Sequence, residues 1–245
     1  MLRVITMTAY RRPAYTREVL DALAKCDDIA DWMLLPNVEP GHEEVIGAFR
    51  DWNACESRLL VNRDRLGLNK NTHDVLFRAF QLRADVIAHL EDDTVPSPDA
   101  LCYFEWAVRE LLVPDVKSSD GHQILLASGY NKPKNEPRVD QSHACQTRPI
   151  WSPWGWAVDR SRLAWLLINW CTRNRKCFTC QFKSGYRRTR REVFPFLSRI
   201  QNIGYEFGEN GRTAEWYRTN HRTPWVAENV TASPFSLSGE HANST

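Results

Sequence analysis

The stretch Val86-Ile87-Ala88-His89-Leu90-Glu91-Asp92-Asp93, followed at once by Thr94-Val95-Pro96-Ser97-Pro98-Asp99, decides how this chain is read. A short apolar run ends in three consecutive carboxylates. Adjacent anions repel one another, so on stability grounds alone the cluster is unfavourable at a strand end. A divalent cation would reverse that sign, because hard oxygen ligands suit magnesium or manganese. The cluster is a candidate metal–phosphate site. The competing reading is a solvated turn that caps the next helix.

Outward from this stretch, strand and helix signals alternate. Leu2 to Thr8 is a short apolar strand, broken by Tyr10-Arg11-Arg12-Pro13. Thr16 can cap a helix whose apolar face is Val19, Leu20 and Leu23. Trp32 to Leu35 predicts a second strand, closed by Pro36 and the Pro40-Gly41 turn, and Ser57 to Asn62 a third. After Leu66-Gly67-Leu68-Asn69 a helix carries Val75, Leu76, Ala79 and Phe80 on one face, leading into the fourth strand, Val86 to Leu90. Ser97-Pro98 supplies a cap and a first-turn proline for a helix bearing Leu101, Phe104, Val108 and Leu111. Ile124 to Ala127 is a fifth strand. Strands separated by helices predict an α/β fold with an open, mainly parallel sheet flanked by helices. Ligands of such sheets sit outside the carboxyl ends of the strands, where the acidic cluster falls.

Beyond about residue 130 the character changes. Asn131 to Pro149 is polar and turn-rich and reads as a loop over the site. Trp151-Ser152-Pro153-Trp154-Gly155-Trp156 follows, then a helix near Ser161 to Trp170. From Arg160 to Arg191 there is no acidic residue, while Arg173, Arg175, Lys176, Lys183, Arg187, Arg188, Arg190 and Arg191 accumulate, interleaved with Phe178, Phe182 and Tyr186. Such a pattern suits a polyanion, with phosphates met by Arg and Lys and bases by aromatic rings. A solvated helix face or loop is the other reading. The tail from about Ser233 is small and polar, which predicts flexibility.

Composition sets outer bounds. The chain has 245 residues, enough for one large domain or two small ones, and a formal charge of +2 that says little about partners. No amino-terminal segment has the pattern of a secretory leader, and no apolar run approaches the roughly 18 residues of a membrane span. The seven cysteines are odd in number and lack framework spacing, so reduced thiols in a cytoplasmic setting are expected. Cys177 and Cys180 form one C-x-x-C pair, but a zinc knuckle needs a second pair or nearby histidines.

Four segments together resemble a known family. They are the opening strand with Tyr10-Arg11-Arg12-Pro13, Asn62…Leu66-Gly67-Leu68-Asn69, Glu91-Asp92-Asp93…Ser97-Pro98, and Trp154-Gly155-Trp156. In this order they resemble the GT-A nucleotide-sugar glycosyltransferases, within them the branch of N-acetylglucosaminyltransferase I and its bacterial and viral relatives. Ser198-Arg199-Ile200-Gln201-Asn202-Ile203-Gly204 is similar to a segment of the bacterial and viral members. The resemblance runs from the first residues to about residue 210. It implies a single GT-A domain: residues 1–130 as the nucleotide-sugar half, 131–232 as the acceptor half, and 233–245 as a tail.

The resemblance also implies roles. Asp93 would bind Mn2+ or Mg2+ bridging the diphosphate of a UDP-sugar, with Asp92 near the ribose and Glu91 beside the sugar or nucleotide. The cation would act as a Lewis acid on the departing diphosphate. Thr8, Tyr10, Arg11 and Arg12 would hold the uracil and ribose, and Asn62 and Asn69 would flank the nucleotide. Trp154, Gly155 and Trp156 would shape the donor-sugar and acceptor subsites. His241, or else His221, is a candidate late metal ligand. The acceptor is a hydroxymethyl group on a pyrimidine of DNA held by Arg187, Arg188, Arg190 and Arg191, toward which the basic stretch and viral relatives that glycosylate such bases tilt the reading, with a glycan hydroxyl as the alternative. A base in DNA would have to leave the stack to be reached, and a viral enzyme would work in the host cytoplasm.

The chain departs from the family at the catalytic base. Inverting members place an aspartate, often in a Trp-Asp pair, to deprotonate the acceptor. The corresponding region here is Phe178-Thr179-Cys180-Gln181-Phe182, and no aspartate follows Asp159. Glu209 is the best substitute; a retaining mechanism or a different register are the alternatives. Two rivals complete the set: a non-catalytic nucleic-acid-binding protein on the same fold, and a nucleotidyltransferase, for which no Gly-rich phosphate loop is present.

Overall fold

The computed structural model describes residues 1–131, 142–150, 154–173, 186, 188–204 and 235–237. Its first half is the alternation expected from the sequence: β1 (Arg3–Ala9), α1 (Pro13–Leu23), β2 (Trp32–Val38), α2 (Glu43–Asp51), β3 (Glu56–Ser57), β4 (Leu60–Val61), α3 (Leu68–Gln81) and β5 (Val86–Glu91). Then come β6 (Thr94–Pro96), α4 (Ala100–Ala107) with a π-helical extension over Val108–Leu112, and β7 (Gln123–Ser128). The second half adds β8 (Ala144–Pro149), β9 (Trp156–Asp159), α5 (Arg160–Ile168), β10 (Arg190–Pro195), β11 (Ile200–Asn202) and β12 (Ser236–Leu237).

The main sheet runs β12-β8-β10-β7-β9-β5-β1-β2-β3, with β4 also on β2. β1 pairs in parallel with β2 and β5, and β10 with β7, while β9 enters antiparallel between β5 and β7. The central strands are buried on both faces, which is why Val4 to Ala9 and Val86 to Leu90 read as unbroken runs rather than as alternations. α1 and α2 pack together, and α3 packs on β1, β2 and α5; crossovers of the usual right hand put the two groups on opposite faces. A second, two-strand sheet pairs β6 antiparallel with β11. The described cysteines, Cys26, Cys55, Cys102, Cys145 and Cys171, are all unbridged. Among the described residues no helix is long and apolar enough to cross a membrane.

Several boundaries differ from the sequence expectation, each for a local reason. β2 continues through Pro36 to Val38, because β3 pairs with Met33 and Leu34 and β4 with Asn37 and Val38. Pro36 falls in the gap between them, where its missing N–H costs nothing. α1 starts at Pro13 rather than at a Thr16 cap; Thr16 is buried, and its hydroxyl donates to the Arg12 carbonyl at 2.9 Å. Ser97 does not cap α4, since its hydroxyl donates to Asp99 Oδ1 at 2.7 Å and the helix begins at Ala100. Within the polar stretch whose composition predicts a loop, 144–149 forms β8, paired with β10.

Among the ion pairs that join the second half to the first, one is fully buried. Arg199, fully buried, donates from Nε to Asp99 Oδ2 at 2.8 Å and to the carbonyls of Leu197 and Ser142 at 2.7 Å each, and its guanidinium lies 5.1 Å from the Phe235 ring centroid. Breaking a buried pair strands the other charge, so Asp99→Ala should cost about 3–5 kcal/mol in urea unfolding. A loss near that of an exposed pair would show that Arg199 finds other compensation.

His89, inside β5, is held neutral by burial, which pushes its pKa down to about 3. Thr6 Oγ1 donates to the Ala88 carbonyl at 3.1 Å, so it accepts from His89 Nδ1 at 3.0 Å, which assigns the Nδ1–H tautomer. The unfolded chain protonates this ring near 6.5 and the native one only near 3. Its contribution to stability is therefore complete above the unfolded value and declines as pH falls toward 3, by about 1.4 kcal/mol per pH unit. In His89→Asn, which keeps a donor toward Thr6, that share of the acid slope should vanish from unfolding midpoints measured against pH.

Candidate active site

The acidic cluster sits where β1 and β5 lie side by side, with Thr8 in register with Glu91 and with Asn37 of β2. The Asp92 backbone N–H donates to the Thr8 carbonyl at 3.1 Å, and the Tyr10 N–H donates to Asp92 Oδ2 at 3.2 Å. The turn is tied by Thr94, whose hydroxyl accepts from the Glu91 N–H and donates to the Glu91 carbonyl, both at 2.8 Å. This pins the three carboxylates at the carboxyl end of the sheet.

The cluster is no solvated turn. Asp92 and Asp93 are only 3% and 6% exposed. Burial, with mutual repulsion, pushes Glu91 up to about 8. Burial likewise raises Asp93 to about 6 against the pull of Arg12, and raises Asp92. Arg12 supplies the counter-charge. One guanidinium nitrogen bonds Asp93 Oδ2 at 2.6 Å and another bonds Asp92 Oδ1. Burial opposes the arginine's charge, but the two carboxylates outweigh it and hold its pKa above the ordinary value. Asp93 Oδ1 is buried and has no hydrogen-bond partner.

The Gln201-Asn202-Ile203-Gly204 segment closes over this pair. β11 leads it alongside β6, the Ile203 N–H donates to the Asp93 carbonyl at 2.8 Å, and the Gly204 N–H donates to Asn202 Oδ1 at 3.1 Å. A Cβ on Gly204 would overlap the Asp93 carboxylate and come within 3.0 Å of Arg12 Nη1. The sequence flagged this segment; its place as the roof of the acidic site emerges only in three dimensions. Gly155, at φ 60, lies so close to Ile200 that a side chain there would collide with it, so its service is to seat β11.

Other expected donor residues are placed variously. Tyr10 is ringed by His42, edge-on at 4.6 Å, and by the guanidinium groups of Arg65 at 4.5 Å and Arg11 at 5.6 Å. Asn62 donates to Glu39 Oε2 at 3.3 Å and to Asn71 Oδ1 at 3.0 Å. Asn69 is turned away: its amide accepts from Trp170 Nε1 at 2.6 Å and donates to the Cys171 carbonyl at 3.0 Å, tying α3 to the end of α5. Trp156 is sealed in the sheet at 1% exposure, with its ring against His89, so it belongs to the core. Trp154 is half-buried, edge-on to Tyr130 at 4.8 Å.

Two arginines of the basic stretch, Arg190 and Arg191, are not at this site. Arg190 and Arg191 begin β10, in register with Gln123 and Ile124 at the start of β7, so they lie at the opposite end of the sheet from Asp93. Arg191 pairs with Asp120, and Arg190 lies 5.3 Å from the Trp165 ring centroid. Arg188 adjoins them along the chain. Arg187, Glu209, His221 and His241 lie outside the described residues, as do Trp151, Thr179 and the Cys177/Cys180 pair.

Sequence reasoning missed a polar knot beside the cluster. Glu39, 3% exposed, accepts from the Leu66 N–H at 3.0 Å and the Gly67 N–H at 2.7 Å, fixing the turn that starts α3. Asn71 donates to the Asn37 carbonyl, and Asn37 to Asp74, at 3.1 Å each. Thr8 Oγ1 and Asn37 Oδ1, buried on neighbouring strands, have no partner. Asn37 and Glu39 at the end of an otherwise apolar strand were the signal.

Gly204→Ala should keep the secondary structure by circular dichroism yet cost about 1–3 kcal/mol in urea unfolding, because a methyl group must displace Asp93 or Arg12. An unchanged midpoint would show that the roof yields freely.

No family model and no curated protein matches the sequence. Among solved structures the chain is similar to S. aureus TarS, with a TM-score of 0.53 and 13% identity over 80% of this chain and 36% of that one. It is similar to TarS 1–349 in complex with UDP at 0.52 and 14%, over 79% and 60%. It is also similar to a Bacillus anthracis protein assigned as a glucose-1-phosphate thymidylyltransferase, at 0.50 and 9%, over 95% and 98%. The chain thus spans well under two thirds of TarS. These likenesses establish architecture: a mainly parallel open sheet flanked by helices, the GT-A fold found in glycosyltransferase structures.

Proposed function

We propose that this chain is a metal-dependent glycosyltransferase that moves a sugar from a UDP-sugar to an acceptor hydroxyl. The observation that carries the reading is the buried acidic cluster at the carboxyl end of β5, where Gly204 and Arg12 pack on Asp93 Oδ2 and Asp93 Oδ1 is left unsatisfied. A carboxylate oxygen without a donor, nine-tenths buried, is costly unless a cation or donor completes it. An all-oxygen set fits Mg2+ or Mn2+. Asp93 would hold the ion with Glu91 alongside, and when bound it supplies Lewis-acid neutralisation of the diphosphate leaving group. Among the described residues no cluster of three metal-capable groups is complete, so His241 or the donor phosphates would fill the rest.

The protein's own groups then have separable tasks. Tyr10, boxed by His42, Arg65 and Arg11, offers an aromatic and cationic surface to a nucleoside. Thr8 Oγ1, beside Glu91, and Asn37 Oδ1, on the strand beyond Thr8, offer unspent polar atoms to the donor. Glu209 is the proposed acceptor base. The likeness to TarS in complex with UDP supports a uridine donor through the shared fold. For the acceptor we favour a glycan or other sugar hydroxyl over hydroxymethylated DNA, because Arg190 and Arg191 are engaged at the far end of the sheet.

A panel of UDP-sugars with Mn2+, offered simple sugars, plain DNA and hydroxymethylated DNA, with released UDP as the readout, tests this reading. Turnover with a sugar acceptor is the expected result, and Asp93→Ala should reduce it by about a hundredfold or more. Full activity in Asp93→Ala would remove the metal role. Transfer to hydroxymethylated DNA alone would restore the basic stretch as an acceptor surface. Release of pyrophosphate from a nucleoside triphosphate and a sugar phosphate would make the chain a nucleotidyltransferase.

A further inference from the structure

We infer that Arg12 is an internal competitor for the cation site: it neutralises Asp92 and Asp93 until a diphosphate draws it away, and only then is Asp93 free to take a divalent ion. The inference rests on the metal-dependent reading above and adds a mechanism that controls when the ion binds.

The geometry makes two cations mutually exclusive. The guanidinium spans both carboxylates, bonding Asp92 Oδ1 and, at 2.6 Å, Asp93 Oδ2, while Gly204 packs on the same Asp93 oxygen. Only Asp93 Oδ1, buried and without a partner, remains for another cation. An ion there would stand within a carboxylate's width of a fixed positive charge, in a place where the two aspartates are almost wholly shielded from water. Repulsion at that range is barely screened. The divalent ion and Arg12 therefore cannot both be seated on this pair.

Arg12 is built to leave. Its backbone is anchored, since the Thr16 N–H and hydroxyl both donate to its carbonyl at 2.9 Å. Its side chain is 18% exposed, more than either aspartate, and where it sits its guanidinium already lies 5.8 Å from the Tyr15 ring centroid. A planar guanidinium that bridges two carboxylate oxygens also fits two phosphate oxygens. A donor diphosphate thus offers Arg12 an equivalent anion, and its departure exposes Asp93 to the ion. Metal and nucleotide binding become coupled, each raising the affinity of the other.

Mn2+ binding followed by loss of the free-ion electron paramagnetic resonance signal tests this without reference to catalysis. Without nucleotide, wild-type protein should bind Mn2+ weakly, and Arg12→Met, which keeps the bulk but not the charge, should bind it about tenfold or more tightly. Arg12→Lys, which keeps a charge but cannot bridge both carboxylates, guards against misfolding of the first variant and should fall between the two. UDP should raise the Mn2+ affinity of the wild type, above that of UDP alone, far more than that of Arg12→Met. Equal Mn2+ affinity in wild type and both variants would overturn the competition while leaving the metal site standing. No Mn2+ binding by any form, with or without UDP, would overturn the metal site as well.

Discussion

Two adjacent carboxylates buried at the end of one strand cannot remain there without positive charge, and much of the surrounding structure answers that demand. Arg12 is delivered by the loop after β1, whose length is set by Pro13 starting α1 at once. The turn after β5 is locked by Thr94, so the aspartates cannot retreat to solvent. The roof comes from the far half of the chain through the β6–β11 pair, and Gly204 makes room for the Asp93–Arg12 contact. Each element can be traced to the electrostatic cost of burying Asp92 and Asp93.

That cost also explains why the site lies at the β1/β5 boundary. The chain moves outward from β1 to β2 and later returns to place β5 on β1's other side. Helices leave the sheet in opposite directions there, so a crevice opens at the strand ends. Charge that would be intolerable under a helix is accommodated in that crevice, where a ligand can complete it.

The sequence made the first half legible because parallel strands buried on both faces leave unbroken apolar runs, and helices leave a face of period 3.6. Val86 to Leu90 and the α3 face could be read directly. Less legible were features depending on partners distant in sequence. Pro36 looked like a stop, since only the split pairing of β3 and β4 reveals that its missing N–H is unneeded. Residues 144–149 read as loop because the strand they form, between β10 and the two-residue β12, carries polar side chains. Trp156 looked like a sugar platform, yet β9 turns its ring into the sheet. The acidic motif was visible as chemistry; the arginine that answers it was visible only as one of two adjacent charges, with nothing to separate Arg12 from Arg11.

The insertion of β9 between β5 and β7 has a consequence for how the chain acquires its shape. β5 and β7 lack their shared neighbour until residues 156–159 have been made, and Asp93 lacks its roof until residue 204. The amino-terminal strands can pair early, but the centre of the sheet closes by a late, long-range insertion, the kind of contact that slows folding. During synthesis the edges of β5 and β7 would stay open, exposing apolar strands to self-association until β9 arrives. The same strand that seals the core thus sets the interval in which the nascent chain is most vulnerable to aggregation.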